Sequence, residues 1–199
     1  MRIILSGGGT GGHFYPLVAV SAALGEVAEN EHIARLDQIF MGSEAYDLRA
    51  LSELGINFEY VPAGKLRRYF SLRNFSDTVK TCRGIISACW KFTLRPPDVV
   101  FSKGGYDSVP VLAAARLYRI PVLIHESDSV PGLVNQWAGR FAKRVAISFP
   151  EAGHFFEQKK VALVGNPIRK NVLGGSANEA LDMFDLESGV PILFVLGGS

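Results

Sequence analysis

Cysteine is scarce in this 199-residue sequence: Cys82 and Cys89 are its only two, seven positions apart. Both fall in one expected helix. At 1.5 Å of rise per residue they lie roughly 10 Å apart, beyond the ~7 Å Cα separation a disulfide tolerates, so reduced and packed thiols are expected. An excess of charge of one sign is missing too. A net charge of +2 is too small to announce a nucleic-acid partner, so any basic function must be local. Hydrophobic residues at 48% against charged residues at 20% exclude a disordered chain. No segment reaches the ~18 consecutive apolar residues of a spanning helix. The opening Met1-Arg2-Ile3-Ile4-Leu5-Ser6 offers three consecutive apolar residues before glycines begin, so neither a signal peptide nor an anchor is expected, and the protein should be made and kept in the cytoplasm.

What the sequence does have is rhythm. Residues 2–5 are a short apolar run ending in glycines, and an apolar, alanine-rich stretch over 14–24 follows: strand, glycine turn, helix. Further strands are expected over 38–41, 58–61, 98–101, 121–125, 144–147 and 161–164, with helices over 44–54, 74–94, 109–118 and 133–141. Runs of Val, Ile, Leu and Phe without polar alternation are buried on both faces. They predict an α/β fold, a Rossmann-like parallel sheet with helices on both faces. After Gly165-Asn166-Pro167 the stretch 171–178 is polar and glycine-containing and reads as a linker. The last run, 191–199, repeats the opening pattern of apolar strand into glycines. The expected organisation is a domain over 1–165, a linker with a short helix over 166–190, and the first strand of a second, truncated α/β domain over 191–199. A parallel strand needs a crossover to gain a neighbour, so Ser199 is not a natural end for this architecture.

The strongest local signal is the segment from Gly7 to His13, with five glycines between Gly7 and Gly12. Backbone N–H groups at a strand-to-helix turn touch a phosphate only where no Cβ intervenes, and the helix N-terminus adds favourable potential. Gly7, Gly9 and Gly12 also satisfy G-x-G-x-x-G. A dinucleotide fold, however, wants an acidic residue ending its second strand, and Phe40-Met41-Gly42 has none, which argues against a dehydrogenase. His13, just past the turn, should be kept neutral by the positive helix end and so be able to take a proton. A second glycine turn, Ser102-Lys103-Gly104-Gly105-Tyr106, follows another strand, and His125-Glu126-Ser127-Asp128 a third. In a parallel sheet these strand ends share one edge, so one ligand can bridge them. Glu126 and Asp128 imitate a metal-holding Asp-x-Asp only faintly, and no metal site is expected. Asn135 opens the next helix as a site or capping amide.

In the helix over 74–94, Phe75, Val79, Cys82, Ile86 and Cys89 form one stripe, read as core packing, with Ile85 and Phe92 well off it. Before it, residues 65–73 interleave Lys65, Arg67, Arg68 and Arg73 with Leu66, Tyr69, Phe70 and Leu72. That mixture suits an anionic bilayer surface, or else a solvated loop. The expected membrane patch is Leu66, Arg67, Arg68, Tyr69, Phe70, Arg73, Ile85 and Phe92.

Taken together, Gly8-Gly9-Thr10-Gly11-Gly12-His13 with Pro16, Gly104-Gly105-Tyr106, His125-Glu126, Gly132-Leu133 with Asn135, Val164-Gly165-Asn166-Pro167-Ile168-Arg169 and the final Gly197-Gly198-Ser199 resemble the MurG family in order and spacing. The resemblance implies the N-terminal domain of a GT-B glycosyltransferase, inverting and needing neither metal nor cofactor. It would take N-acetylglucosamine from UDP-N-acetylglucosamine to the 4-hydroxyl of undecaprenyl-diphospho-muramoyl pentapeptide, lipid I, in peptidoglycan synthesis. It further implies donor contacts at Thr10, Gly11, Gly12, Asp128, Arg169 and Ser199, with Asp128 standing where the family usually has asparagine. The lipid diphosphate would lie at Gly9, Gly104, Gly105, Tyr106 and Asn135, and the catalytic base would be His13 or Glu126. A peripheral position on the cytoplasmic face of the plasma membrane, an anionic membrane partner and a C-terminal partner domain are implied as well. Another GT-B glycolipid transferase, or a membrane-docking half of a split enzyme, remain alternatives.

Overall fold

The computed structural model describes residues 1–65 and 73–195, with the backbone alone at Arg73 and Asn74. Its strands are β1 Arg2–Gly7, β2 Asp37–Gly42, β3 Asn57–Tyr60, β4 Val99–Gly104, β5 Val122–Glu126, β6 Arg144–Ile147 and β7 Val161–Leu163. They form one sheet in the order β3-β2-β1-β4-β5-β6-β7, and every neighbouring pair is parallel. The helices are α1 Gly11–Asn30, α2 Leu48–Glu53, α3 Arg73–Leu94, α4 Val109–Leu117, α5 Leu133–Gly139 and α6 Ala177–Phe184. The expected α/β architecture is therefore the one formed.

Strand periodicity divides the core into two layers. Along β1, Ile4 packs with Ile39, Met41, Val100 and Phe92 on one face, while Ile3 and Leu5 pack with Phe14, Leu17, Phe40 and Leu51 on the other. The order of strands reverses direction at β1, which has β2 on one side and β4 on the other. Open parallel sheets leave a crevice at such a point, beyond the strand C-termini.

Two expected helices differ from their sequence reading. The first, over 44–54, shortens to α2 because the Asp47 carboxylate caps it, accepting from the N–H groups of Arg49 at 3.0 Å and Ala50 at 3.2 Å. The second is α3, whose burial is the reverse of the sequence reading. Phe75 is 79% exposed and Ile86 69%, and Val79 and Cys82 are exposed as well, so their stripe is not core. Phe92 is 1% exposed and belongs to the core, which removes it from any membrane patch; Ile85 is half-buried. The buried face instead runs through Asp77, Gly84, Ala88 and Phe92. Its small residues allow close approach: a Cβ on Gly84 would collide with the Pro62 carbonyl oxygen and lie 2.9 Å from the Pro110 ring of α4. Cys82, expected to be packed, is exposed, and Cys89 is half-buried.

Beyond β7, residues 164–176 are irregular apart from a single 3-10 turn at Lys170–Val172, α6 is capped by Ser176, and residues 191–195 carry neither helix nor strand. Among the described residues no helix is long and apolar enough to cross a membrane.

The two helix-interior glycines at 84 and 25 should respond oppositely to alanine. Gly84→Ala should destabilise the chain by ~1–3 kcal/mol through overpacking. Gly25→Ala, in α1 with nothing within 4 Å of the new Cβ, should stabilise it by ~0.5–1 kcal/mol. Urea unfolding of both variants reads the signs, and equal effects would remove the close-approach account of α3.

Candidate functional site

Three adjacent strands, β1, β4 and β5, deliver the loops expected to carry chemistry. The first glycine loop leaves β1 and turns into α1. Thr10 occupies the cap position in extended conformation, but its side chain makes no capping bond. Its Oγ1 is hydrogen-bonded instead to His13 Nδ1 at 2.9 Å. The amides of the first turn of α1 are thus left without a side-chain cap, facing the crevice end of the sheet.

The second loop leaves β4 with Gly104 and Gly105 in succession at φ 86° and 82°, a conformation that side-chain-bearing residues rarely adopt. Here the two loops press together. A Cβ on Gly105 would stand 3.1 Å from the Gly8 carbonyl oxygen and 3.6 Å from the His13 ring. A Cβ on Gly9 would lie 2.8 Å from the ring of Tyr106. Gly9, His13, Gly104, Gly105 and Tyr106 are therefore one cluster.

The third loop is held by Asn135 and Glu126, both nearly fully buried. The Glu126 carboxylate accepts from the Asp128 N–H at 3.0 Å, the Gly132 N–H at 3.1 Å and Asn135 Nδ2 at 3.0 Å. Asn135 Nδ2 also donates to the His125 carbonyl at 3.1 Å, and its Oδ1 lies where a Cβ on Gly104 would fall, 2.5 Å away. Asn135 is neither a surface amide nor a cap; it ties the β4 and β5 loops together. Glu126, with both oxygens engaged, shapes its loop. Asp128 is exposed at the loop's rim.

Electrostatics favour an uncharged imidazole at His13. Burial and then the nearby Lys103 ammonium lower its pKa, against opposing pulls from Glu126 and Asp128. Below that lowered pKa the ring becomes a cation; at neutral pH it is free to accept a proton. His125 is fully buried, and its Nε2 donates to the Gly165 carbonyl at 2.9 Å, tying β5 to the segment after β7. That segment returns to α1: the Arg169 guanidinium stacks 3.9 Å over the Tyr15 ring. Gly11, Gly12, Tyr15, Pro16 and Arg169 line a cleft of about 360 Å³. Three of the residues expected to touch a donor thus share one cleft. Ser199 and residues 66–70 of the expected membrane patch lie outside the described residues, as does the side chain of Arg73.

Two residues of this region were missed from sequence. Lys103 is 2% exposed. A lysine directly before a glycine turn at a strand end was a usable signal. Asp107 is fully buried; its Oδ1 accepts from the Ser43 N–H at 2.8 Å, while Oδ2 has no hydrogen-bond partner and fills the space left by Gly8 and Gly42. In sequence, an acid in the first turn before α4 looks like an ordinary solvent-facing helix-start residue.

Burial raises the Asp107 pKa, with Glu44 adding to it and the Ser43 hydrogen bonds opposing. A raised folded-state pKa means that its stability contribution is present below about pH 4, the unfolded carboxyl value, and is lost as pH rises through the folded value. Asp107→Asn should therefore gain stability relative to the parent progressively above pH 4. Urea midpoints across pH 4–8 that stay parallel for the two proteins would contradict a buried, ionisation-penalised carboxyl.

A family model for the glycosyltransferase family 28 N-terminal domain matches residues 3–147. The chain is 39% identical over 199 residues to the UDP-N-acetylglucosamine–N-acetylmuramyl-(pentapeptide) pyrophosphoryl-undecaprenol N-acetylglucosamine transferases of Lachnoclostridium phytofermentans and Clostridium botulinum. All of this chain but 54% of each relative is covered, so the chain spans about half the length of these curated relatives. The crystal structure of Acinetobacter baumannii MurG matches with a TM-score of 0.68 at 27% identity, covering 85% of this chain and 46% of that one. A UDP-GlcNAc 2-epimerase from Neisseria meningitidis shares the fold, with a TM-score of 0.63 at 16% identity over 94% of this chain and 52% of that one. With the family match running through most of the chain and reaching from β1 to β6, this protein belongs to glycosyltransferase family 28, whose N-terminal domain it carries in a MurG-like form.

Proposed function

We propose that this chain is the acceptor-binding half of a transferase that moves N-acetylglucosamine from UDP-N-acetylglucosamine to the 4-hydroxyl of lipid I, giving lipid II. The observation that carries the reading is the meeting of two glycine loops around His13, at the crevice end of a parallel sheet. Backbone approached this closely, beside an uncapped helix start, suits a diphosphate. Residues 1–165 form the acceptor domain, residues 166–190 the connection, and the apolar run into glycines over 191–199 belongs by sequence to the donor domain. Gly9, Gly104, Gly105 and Tyr106 border the lipid diphosphate, and Thr10, Gly11, Gly12, Asp128, Arg169 and Ser199 border the donor.

The chemistry is a single displacement. In the tautomer whose Nδ1–H donates to Thr10 Oγ1, His13 Nε2 presents a lone pair and takes the proton of the acceptor hydroxyl. The oxygen attacks the anomeric carbon from the face opposite UDP, the bond to UDP breaks, and its electron pair leaves with the diphosphate. Glu126 is the weaker candidate for base because its oxygens already accept three N–H donors.

Transfer to a soluble lipid I analogue tests this reading, with residues 1–199 joined to the C-terminal half of the Clostridium botulinum relative. His13→Ala should lower kcat by ~10²–10⁴ with an unchanged unfolding midpoint. An unaltered kcat would take His13 out of the reaction, and no transfer by the parent chimera would remove the function.

The membrane surface is proposed at the exposed stripe of α3, where Phe75, Val79, Ile86 and Trp90 stand beside Arg83, continuing from the basic segment over 65–73. Apolar groups enter the interface while cations stay with anionic headgroups. Burying one such side chain is worth ~1.5–3 kcal/mol, so Phe75→Ser together with Ile86→Ser should weaken binding to phosphatidylglycerol vesicles at least tenfold. Unchanged co-sedimentation of this double variant would return α3 to a solvated face.

A further inference from the structure

Lys103 is the penultimate residue of β4, directly before Gly104 and Gly105. Its side chain is 2% exposed, yet among the described residues no carboxylate lies within ion-pair distance of its ammonium and no side chain or carbonyl accepts a hydrogen bond from it. The enclosed side-chain atoms that lack partners are Asp107 Oδ2, His125 Nδ1 and Asn135 Oδ1; Lys103 Nζ is not one of them. Burial therefore covers the aliphatic stem while the nitrogen reaches an opening. The backbone places it: Lys103 directly precedes the Gly104–Gly105 turn, which meets Gly8 and the His13 ring, and its charge is felt at His13 as those of Glu126 and Asp128 are felt at Lys103. The stem has room because β1 ends in a glycine, where a Cβ would come within 2.9 Å of Lys103 Cβ.

A cation in this position is poorly solvated. Burial lowers its pKa and outweighs the two carboxylates that raise it. Neither carboxylate is free to serve it at close range: Glu126 is occupied by three N–H donors, and Asp128 is exposed and screened by solvent. The uncapped first turn of α1 adds a second source of positive potential at the same opening. An unpaired, nine-tenths buried cation beside a 20-residue helix start is an arrangement completed by an anion.

We propose that Lys103 is the cationic anchor of a diphosphate subsite between the two glycine loops. The inference rests on the acceptor-side reading above and adds to it the residue that holds the charge. Lys103 binds by point charge beside the two glycine loops, which leaves His13 free for proton transfer. A lysine, compact and strongly charged, suits a diphosphate that must slide out with its lipid after transfer.

Calorimetric titration of the 199-residue chain tests it with two probes, geranyl diphosphate for a lipid-linked source and UDP for a nucleotide-linked one. The parent should bind geranyl diphosphate and bind UDP much more weakly. Lys103→Met should lose at least tenfold in geranyl diphosphate affinity, the scale of one charge-assisted hydrogen bond, and Lys103→Arg should recover most of it. Equal affinity of parent and Lys103→Met would overturn the role of Lys103 and leave the acceptor-side reading standing. Lys103-dependent binding of UDP in preference to geranyl diphosphate would keep the anchor and overturn the acceptor-side reading. Binding of neither probe by the parent would overturn both. A measurement without substitution guards against misfolding: acylation of Lys103 by an N-hydroxysuccinimide ester, followed by peptide mass spectrometry, should slow at least fivefold under saturating geranyl diphosphate. Unprotected acylation with the probe bound would also overturn the anchor.

Discussion

Parallel strands all point one way, and in this chain three that carry functional loops lie side by side. β1, β4 and β5 are consecutive across the sheet although far apart in sequence, so their C-termini open onto a common crevice. Everything chemical in the structure depends on that adjacency. The glycines then set how closely the loops meet: a Cβ on Gly105 would crowd the Gly8 carbonyl, and Gly9 accepts the ring of Tyr106 where a side chain would have collided. The knot of Glu126 and Asn135 fixes the third loop against the second. Rigid backbone around one titratable ring is how preorganised sites keep reacting groups within reach.

Much of this was legible in the sequence, for a physical reason. Strands buried on both faces must be continuously apolar, so runs such as Ile3-Ile4-Leu5 and Val122-Leu123-Ile124 identify themselves, and glycines at their ends mark turns. Once the sheet is taken as parallel, convergence of the loop residues follows. What periodicity does not carry is direction. The stripe of Phe75, Val79, Cys82 and Ile86 is a sound amphipathic pattern, but α3 turns it outward because Gly84 and Ala88 let the opposite face pack closer. Small residues score poorly as hydrophobic signals and yet win in packing.

Buried charge was the other blind spot. Lys103 and Asp107 are surface residues by type, and their burial depends on space left by glycines distant in sequence, Gly7 for the first, Gly8 and Gly42 for the second. No local pattern reports such a vacancy. It becomes visible only when three strand ends are brought together. A neutral His13 was expected from the helix start written in the adjacent residues, whereas burial and then Lys103 are what lower its pKa.

The bond from His125 to the Gly165 carbonyl has a mechanical meaning. It joins the sheet to the second residue of the segment that leads away from it, and the Ser148 hydroxyl donates to Asn166 Oδ1 beside it at 2.6 Å. The imidazole sits one residue before Glu126, whose carboxylate sets the shape of the third loop. A swing of the chain after Gly165 would load this bond and tug on the same strand end that frames the crevice. The exit of the chain is thus anchored one residue from the carboxylate that shapes the third loop.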